Sequence, residues 1–275
     1  MDIRQSTVGR ITGYCMEKYE MIDYKKIQEI VRQAAKLFAD RESVGCIKEK
    51  GMYDFVTAVD EAVQNFIQKE LQVLYPEILF LGEESNEKNV NMEGLVWVLD
   101  PVDGTTNLIH DYKGSAISLA LLNNKEVIAG IIYDPYLDEM YFAEKGKGAY
   151  LNEQPIHVSS AKSMSESLIA IGTSPYRKEE AADNFKTFEK IYMDCQDLRR
   201  TGSAALDLAH IACGRIEGYL EKNLKLWDFA AGAIIVREAG GTVLDYEGNE
   251  RTMELIGDVV AGNESIAQIL ANKYV

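Results

Sequence analysis

Acidic side chains in four short segments of this 275-residue chain could do chemistry together. Carboxylates that converge in space can transfer protons or hold a divalent cation through their oxygens. We predict that each segment lies where a strand ends or a helix begins, so that the four can meet. The segments are DFVTAVD (54–60), GEES (82–85), DPVDGTTN (100–107) and WD (227–228).

The segment DPVDGTTN is the most informative of the four. Asp100 and Asp103 are three residues apart and, with the chain bent at Pro101, can aim both carboxylates and an intervening carbonyl at one point. Gly104 permits a tight turn, and a helix starting there would offer its N-terminus to a phosphate. The alternative is an ordinary Asp-Pro, Asp-Gly turn. A calcium loop of the EF-hand type is excluded, because position 102 is Val and position 111 is not Glu.

The other three segments each have a plain structural interpretation when taken alone. Glu83 and Glu84 follow a predicted strand and could lie in a solvated loop. Asp228 precedes a predicted helix and could be its N-cap. Asp54 and Asp60 could likewise serve as turn and cap residues. The joint occurrence of all four segments is harder to explain in this way.

Several other catalytic strategies are absent from the sequence. No Cys is followed by Arg six positions later, no Asp-x-Asp occurs, and neither a G-x-S-x-G elbow nor a phosphate-binding G-x-x-x-x-G-K-[ST] loop is found. The three histidines have no metal-ligand spacing. The four scattered cysteines indicate reduced thiols in a cytoplasmic protein. The histidines are His110, His157 and His210, and the cysteines are Cys15, Cys46, Cys195 and Cys213.

The formal net charge of −15 argues against nucleic-acid partners, because such a surface repels phosphate backbones. A phosphate-binding site in this chain must therefore neutralise its own charge locally. No apolar run approaches the ~20 residues that span a bilayer, and the N-terminus lacks the apolar stretch of a secretory signal. We therefore expect no membrane partner.

Apolar periodicity predicts the elements that must position these acids. Helices are expected from Met21 to about Arg41 and over 61–74, 180–193, 203–213 and 229–239. Strands are expected over 78–81, 95–99, 116–122, 127–133, 140–143 and 168–172. Residues 1–21 are interpreted as an N-terminal extension and 22–275 as a single domain of two packed α/β halves, about 22–160 and 161–275. Strands first and mixed elements later predict layered sheets and helices.

Four segments together resemble the inositol monophosphatase family, and its bacterial members most closely. They are GEES, WVLDPVDGTTN, RRTGSAALDLAHIACGRIEGYLE and LWDFAAGAIIVREAGG, in this order. The resemblance covers roughly Met21 to the C-terminus. It implies an α/β fold, the layered αβαβα sandwich shared with fructose-1,6-bisphosphatase, together with Mg²⁺ dependence, lithium sensitivity and a homodimer.

The resemblance also implies a metal-ligand set. Glu83, Asp100 and the Val102 carbonyl would hold one Mg²⁺, and Asp100, Asp103 and Asp228 a second. Glu83 would assist a third, and Mn²⁺ could replace Mg²⁺. Two carboxylates ~4 Å apart repel by about 4 kcal/mol at an effective dielectric of 20, so hard cations are needed before a phosphate can enter. Oxygen-only donors favour Mg²⁺ or Mn²⁺ over zinc.

By the same resemblance, Thr105 activates a water molecule and donates a hydrogen bond to Asp60. Backbone N–H groups of Gly104 and Thr105 would hold phosphate oxygens. One departure from the family lies in the loop 46–54, CIKEKGMYD, where relatives often have a lysine followed by Ser-Pro. The residues implied to contact the alcohol half of the substrate are Asp103, Gly202, Ser203, Ala204 and Glu221.

The expected activity is hydrolysis of a small phosphate monoester, foremost myo-inositol monophosphate, by a metal-activated water without a covalent phosphoenzyme. Fructose-1,6-bisphosphate or a broader set of sugar phosphates is the alternative within the class. A nucleotide 3′-phosphatase is disfavoured because such relatives show a DPLDGT-K variant. A non-catalytic regulatory protein on the same fold is a further alternative, which the intact acidic set argues against.

Overall fold

A computed structural model of the chain describes residues 22–51, 54–85 and 91–275, and the predicted extension 1–21 lies outside these ranges. The helices are α1 (Tyr24–Ala34), α2 (Arg41–Gly45), α3 (Ala58–Leu74), α4 (Thr105–Ile109), α5 (Ala181–Asp194), α6 (Ala204–Ala212), α7 (Leu226–Glu238) and α8 (Glu264–Lys273). The strands are β1 (Ile47–Gly51), β2 (Asp54–Thr57), β3 (Leu79–Gly82), β4 (Leu95–Asp103), β5 (Ala116–Asn123), β6 (Glu126–Asp134), β7 (Glu139–Glu144), β8 (Ala149–Leu151), β9 (Gln154–Ile156), β10 (Leu168–Ile171), β11 (Asp197–Arg199), β12 (Gly218–Lys225), β13 (Gly241–Leu244) and β14 (Ile256–Asn263).

Two large sheets organise the chain. The first has seven strands in the order β3-β4-β5-β6-β7-β8-β9, antiparallel except for the parallel pair β3 and β4. The second has five strands in the order β11-β10-β12-β14-β13, in which β10 runs parallel to both of its neighbours. Strands β1 and β2 form a separate antiparallel hairpin.

Helices cover both sheets and fill the space between them. α1 and α3 pack on the outer face of the seven-stranded sheet, and α6 and α7 lie between the two sheets. α8 contacts β12, β13 and β14 on the outer face of the five-stranded sheet, and Phe188 and Ile191 of α5 join the same apolar cluster. The predicted layered αβαβα sandwich is therefore confirmed.

The middle layer explains the apolar character of α7. A helix that is apolar all round is stable only when protein covers every side, and α7 is buried along nearly its whole length. Its approach to the sheet depends on Gly130 in β6, where an added Cβ would lie 2.6 Å from the Ala231 carbonyl oxygen. Gly232 allows α6 to approach in the same way, because a Cβ there would lie 2.5 Å from a Leu208 methyl carbon.

Most predicted elements are present, with shifted ends. The N-terminal helix ends at Ala34 and continues as a 3-10 helix over Ala35–Ala39, so the expectation of one helix to Arg41 was wrong. β4 continues past the predicted end at Leu99 to Asp103. The prediction of two halves divided near residue 160 is not tested by these observations and stays a prediction. None of the helices within the described ranges combines the length and apolar character needed to cross a bilayer.

The packing predicts the effect of adding one methyl group at two glycines. Gly130→Ala should lower the free energy of unfolding by about 1–3 kcal/mol, because the new Cβ meets backbone that cannot move aside cheaply. Gly45→Ala is the matched control, since no atom lies within 4 Å of its added Cβ. Urea denaturation of the parent and the two variants measures the free energy of unfolding of each. Equal stability of the two variants would contradict the proposed contact between α7 and the sheet.

Candidate active site

A cleft of about 390 Å³ opens where the ends of β3 and β4 meet the first turns of α4, α6 and α7. Ten of the twelve residues expected at the site line this cleft: Glu83, Asp100, Val102, Asp103, Gly104, Thr105, Gly202, Ala204, Glu221 and Asp228. Asp60 and Ser203 lie behind the lining, both 1% exposed. The structure therefore brings together residues that are up to 168 positions apart in the sequence (Asp60 to Asp228).

An irregularity at the end of β4 separates its two aspartates. Asp100 pairs with Ser118 and Asp103 with Ala116, so the strand bulges between them. The carboxylate of Asp100 accepts a hydrogen bond from the Val102 backbone N–H at 2.9 Å, which fixes the side chain within the bulge. The predicted turn is thus a β-bulge inside a longer strand. Bulges re-aim side chains, and this one places both aspartates on the cleft.

Gly104 follows the bulge with a φ of 91°, a conformation that residues with a Cβ rarely adopt. A Cβ at this position would lie 2.9 Å from the Gly114 carbonyl oxygen. Ser115 Oγ donates to the Gly104 carbonyl at 2.8 Å. The glycine therefore lets the chain turn directly from β4 into the short helix α4, which starts at Thr105.

Asp60 forms a fixed pair with Thr105. Its Oδ2 accepts hydrogen bonds from the Thr57 backbone N–H at 2.8 Å and from Thr57 Oγ1 at 2.5 Å, in a capping box at the start of α3. Its Oδ1 accepts from Thr105 Oγ1 at 2.9 Å. Burial raises the pKa of Asp60, although these three hydrogen bonds oppose the rise. Asp60 thus both caps α3 and contacts Thr105.

Asp103 connects β4 to the start of α6. Its Oδ2 accepts from Ser203 Oγ and from the Ala205 backbone N–H, both at 2.6 Å. Ser203 also caps α6, because its hydroxyl accepts from the Leu206 N–H at 3.2 Å. Burial raises the pKa of Asp103 to about 6, against these hydrogen bonds.

Asp228 lies in the first turn of α7, where its Oδ2 accepts from the Lys225 backbone N–H at 2.7 Å. It is therefore a capping residue and a cleft-lining residue at once. Burial raises its pKa well above the ordinary value, and the charges of Glu83 and Asp103 add to the rise. Asp100 behaves in the same way, with burial first and the charges of Glu83, Asp103 and Asp228 following. The four acids thus act on one another electrostatically.

These acids do not form a ready-made metal site. Within the described ranges, no three acidic, histidine or cysteine side chains are placed to hold an ion as they stand. The carboxylates therefore share one cleft, but they are not grouped closely enough to ligate an ion as they stand. Their donor chemistry still fits a hard cation, because every group concerned is a carboxylate or carbonyl oxygen.

Glu221 lines the cleft beside these acids, on β12. Its Oε2 accepts from the Tyr219 hydroxyl at 2.6 Å, and its Oε1 accepts from the Ser174 backbone N–H at 2.9 Å. Gly172 leaves the space that the carboxylate fills, since a Cβ there would lie 1.9 Å from Glu221 Cδ. The side chain is therefore held in one orientation by two hydrogen bonds.

Sequence reasoning missed the residues that hold the two sides of the cleft together. Asn107 Nδ2 donates to the Gly114 carbonyl at 2.6 Å and to the Thr201 carbonyl at 2.8 Å, which ties the loop after α4 to the loop before α6. Thr201 Oγ1 donates to Asp207 at 2.9 Å, and Asp207 is 2% exposed. The one available signal was an acid within the apolar run AALDLA.

The loop that departs from the family pattern lies at the edge of the cleft. Lys48 in β1 forms an ion pair with Glu61 at 2.6 Å, and both side chains are largely exposed. Phe55 in β2 lines the cleft. Residues 52 and 53 lie outside the described ranges. Lys48 is therefore paired on the surface at the start of α3.

Comparison with known proteins agrees with this geometry. A sequence model of the inositol monophosphatase family matches residues 16–275. The Nus factor SuhB of Escherichia coli K12 is 40% identical over 225 residues, which cover 82% of this chain and 84% of that protein. The inositol-1-monophosphatase of Rhizobium meliloti 1021 is 38% identical over 80% of this chain and 83% of its own length. The crystal structure of the extragenic suppressor protein suhB from Bartonella henselae has a TM-score of 0.82 and 33% identity, over 90% of this chain and 97% of that one. The chain belongs to the inositol monophosphatase family.

Proposed function

We propose that this protein hydrolyses small phosphate monoesters with the help of divalent cations. The observation that supports the proposal is the set of mutually repelling, buried carboxylates on one cleft, next to a hydroxyl that a buried aspartate fixes. Such a set is costly to fold unless a cation compensates it. Family membership adds the substrate class.

The residues proposed to hold the cations are those that the sequence predicted: Glu83, Asp100, the Val102 carbonyl, Asp103 and Asp228. Oxygen donors of this kind suit two or three Mg²⁺ ions, or Mn²⁺. When bound, these ions supply positive charge that polarises the phosphoryl group and lowers the pKa of a coordinated water.

Asp60 and Thr105 are proposed to position the attacking water. The Thr105 hydroxyl has two acceptors within reach, Asp60 Oδ1 at 2.9 Å and the Val102 carbonyl at 3.1 Å, and with either one its lone pairs remain available to accept a hydrogen bond from water. Two hydrogen bonds from Thr57 hold the opposite oxygen of Asp60 and keep it from rotating. A water oriented in this way attacks phosphorus in line, and no covalent phosphoenzyme is required.

The remaining contacts are proposed to bind the two halves of the substrate. N–H groups in the first turn of a helix lack partners within the helix, so those of Gly104 and Thr105 can donate to phosphate oxygens. Glu221, held by Tyr219 and Ser174, offers a carboxylate to hydroxyl groups of the alcohol half. Asp103, Gly202, Ser203 and Ala204 complete that wall.

We propose myo-inositol monophosphate as the foremost substrate, with fructose-1,6-bisphosphate or other sugar phosphates as alternatives. The name of the Rhizobium meliloti relative, inositol-1-monophosphatase, supports this order. Colorimetric phosphate release from a panel of inositol, sugar and nucleotide monoesters in Mg²⁺ tests it. Lithium sensitivity and a homodimer are proposed on family resemblance. A cytoplasmic location is proposed on the scattered cysteines, and two packed halves on the change from strands to mixed elements along the chain.

A regulatory role is the second candidate, because several relatives at 38–40% identity are named Nus factors. The two proposals differ in what they require of the cleft. A purely regulatory protein needs no ordered pair of Asp60 and Thr105, whereas this chain retains the pair together with all four acids. Absence of phosphate release from every member of the panel would favour the regulatory role.

Replacing Thr105 tests the positioning of water. Thr105→Val removes the hydroxyl while keeping the shape, and should lower kcat by about 10²-fold or more. Thr105→Ser keeps the hydroxyl and is the matched control, with a kcat within about tenfold of the parent. Steady-state phosphate release measures both. A Val variant as active as the Ser variant would refute the assignment.

Replacing Asp100 tests the cation site without relying on activity. Asp100→Asn removes one repelling charge and keeps an oxygen for the Val102 N–H, so the cation-free protein should gain about 1–3 kcal/mol of stability at pH 7.5. The stabilisation that Mg²⁺ gives the parent should shrink or vanish. Glu247→Gln on the exposed surface is the charge-matched control. Denaturant unfolding with and without Mg²⁺ decides, and an unchanged Mg²⁺ effect would contradict the assignment.

The space beside Glu221 offers an indirect test of substrate orientation. Gly172→Ala should displace the carboxylate, because the new Cβ would overlap Glu221 Cδ. Its KM for inositol monophosphate should rise about as much as that of Glu221→Gln, roughly tenfold. KM is measured for inositol monophosphate and for p-nitrophenyl phosphate, which has no hydroxyl to bind. The comparison separates binding of the alcohol half of the substrate from binding of the phosphate. Equal KM changes on both compounds would argue against Glu221 as a hydroxyl ligand.

A further inference from the structure

Arg200 is the one basic side chain among the described residues that line the cleft. Five acids share that lining, and the whole chain carries a net charge of −15. The acids are Glu83, Asp100, Asp103, Glu221 and Asp228. In so acidic a setting, a guanidinium would ordinarily be expected to find a carboxylate partner.

The neighbouring arginines differ in this respect. Arg199 Nη1 lies 2.6 Å from an Asp197 carboxylate oxygen, so its charge is compensated within β11. For Arg200, no carboxylate lies within 4.0 Å in the described part of the chain, and its Nε donates a hydrogen bond to Thr173 Oγ1 at 3.2 Å. The Arg200 charge acts on the buried Asp207 without an ion pair, so the Nη groups of this exposed side chain can bind a ligand.

The backbone around Arg200 keeps the guanidinium at the cleft. Gly202 has a φ of 92°, and a Cβ there would lie 2.8 Å from Arg200 Nη1, so a larger residue would push the side chain aside. Thr173 precedes Ser174, whose N–H binds Glu221. Arg200 is thus tied, through Thr173, to the wall of the cleft that carries Glu221.

We infer that Arg200 forms an anion subsite for a second negatively charged group on the alcohol half of the substrate. A guanidinium binds phosphate or carboxylate oxygens through two parallel N–H groups, which suits a second phosphate best and a carboxylate next. The inference rests on the proposed function, since it requires the reacting phosphate to sit at the acidic end of the same cleft. The volume of about 390 Å³ falls in the range that holds ligands of sugar size.

Pairs of substrates that differ only in the second anion test the subsite. Fructose 1,6-bisphosphate and fructose 1-phosphate differ in one phosphate, and 2-phosphoglycerate and 2-phosphoglycerol differ in one carboxylate. The parent should show a lower KM for the more anionic member of at least the phosphate pair. Arg200→Met should reduce that preference roughly tenfold to hundredfold, and Arg200→Lys should reduce it less because the charge remains.

Arg199→Met is the matched control, because it removes an adjacent guanidinium that already has a carboxylate partner. This variant should keep the preference of the parent. An equal preference in the parent and in Arg200→Met would overturn the inference. A change of sedimentation mass in Arg200→Met would also overturn it, because the guanidinium would then serve a contact between copies of the chain.

Calorimetric titration separates failure of the subsite from failure of the proposed function. The slow Thr105→Val variant, with and without Arg200→Met, is titrated in Mg²⁺ with fructose 1,6-bisphosphate and with fructose 1-phosphate, and the Kd values are compared. Tighter binding of the bisphosphate that depends on Arg200 supports the subsite even if no phosphate is released. Equal binding of the two compounds overturns it, whatever the phosphatase assay shows.

Discussion

Repulsion among carboxylates in one cleft is the constraint around which this fold is arranged. Asp100, Asp103 and Asp228 line the same cleft although burial raises the pKa of each and neighbouring carboxylates add to the rise. Each is held by at least one backbone N–H, from Val102, Ala205 and Lys225 respectively. These hydrogen bonds partly stabilise the charged form of each carboxylate and fix the position of the oxygen that accepts them. The remaining charge explains why a divalent cation is the expected complement.

These N–H groups come from three layers of the sandwich. Val102 lies in the bulge of β4 in the seven-stranded sheet, Ala205 in the first turn of α6 between the sheets, and Lys225 at the end of β12 in the five-stranded sheet. Asn107 joins the two sides by donating to the Gly114 and Thr201 carbonyls. The cleft is therefore a product of layer packing, and no single segment could form it alone.

Much of the fold could be predicted from the sequence, because apolar periodicity and glycine position reflect local physics. Helices α1, α3, α5, α6 and α7 and strands β3 to β7 and β10 follow from this pattern, whereas the hairpin β1–β2 and helix α8 were not predicted. The acidic motifs GEES and DPVDGTTN lie at the ends of β3 and β4. The extension of β4 through Pro101 to Asp103 could not be predicted, since it depends on pairing with β5 across the bulge. The change to a 3-10 helix after Ala34 likewise could not be predicted from apolar periodicity.

Most residues that line the cleft could be predicted from sequence motifs, whereas the residues that orient them by hydrogen bonds could not. Asp60, Asp103 and Thr105 belong to recognisable motifs, whereas the partners that orient them are ordinary residues. Thr57 and Asn107 acquire their roles from distances that periodicity does not encode. Asp207 is a further example, because only its burial beside Thr201 distinguishes it from a surface acid.

Helix α7 gives this arrangement a mechanical consequence. Its first turn bears Asp228, and its body contacts strands of both sheets with hardly any side chain reaching solvent. A tilt of this helix would have to displace the core on either side, where dense packing resists small shifts. The carboxylate is thus mounted on a helix that is packed on both sides, and loosening of either interface would shift the position of the Asp228 carboxylate in the cleft.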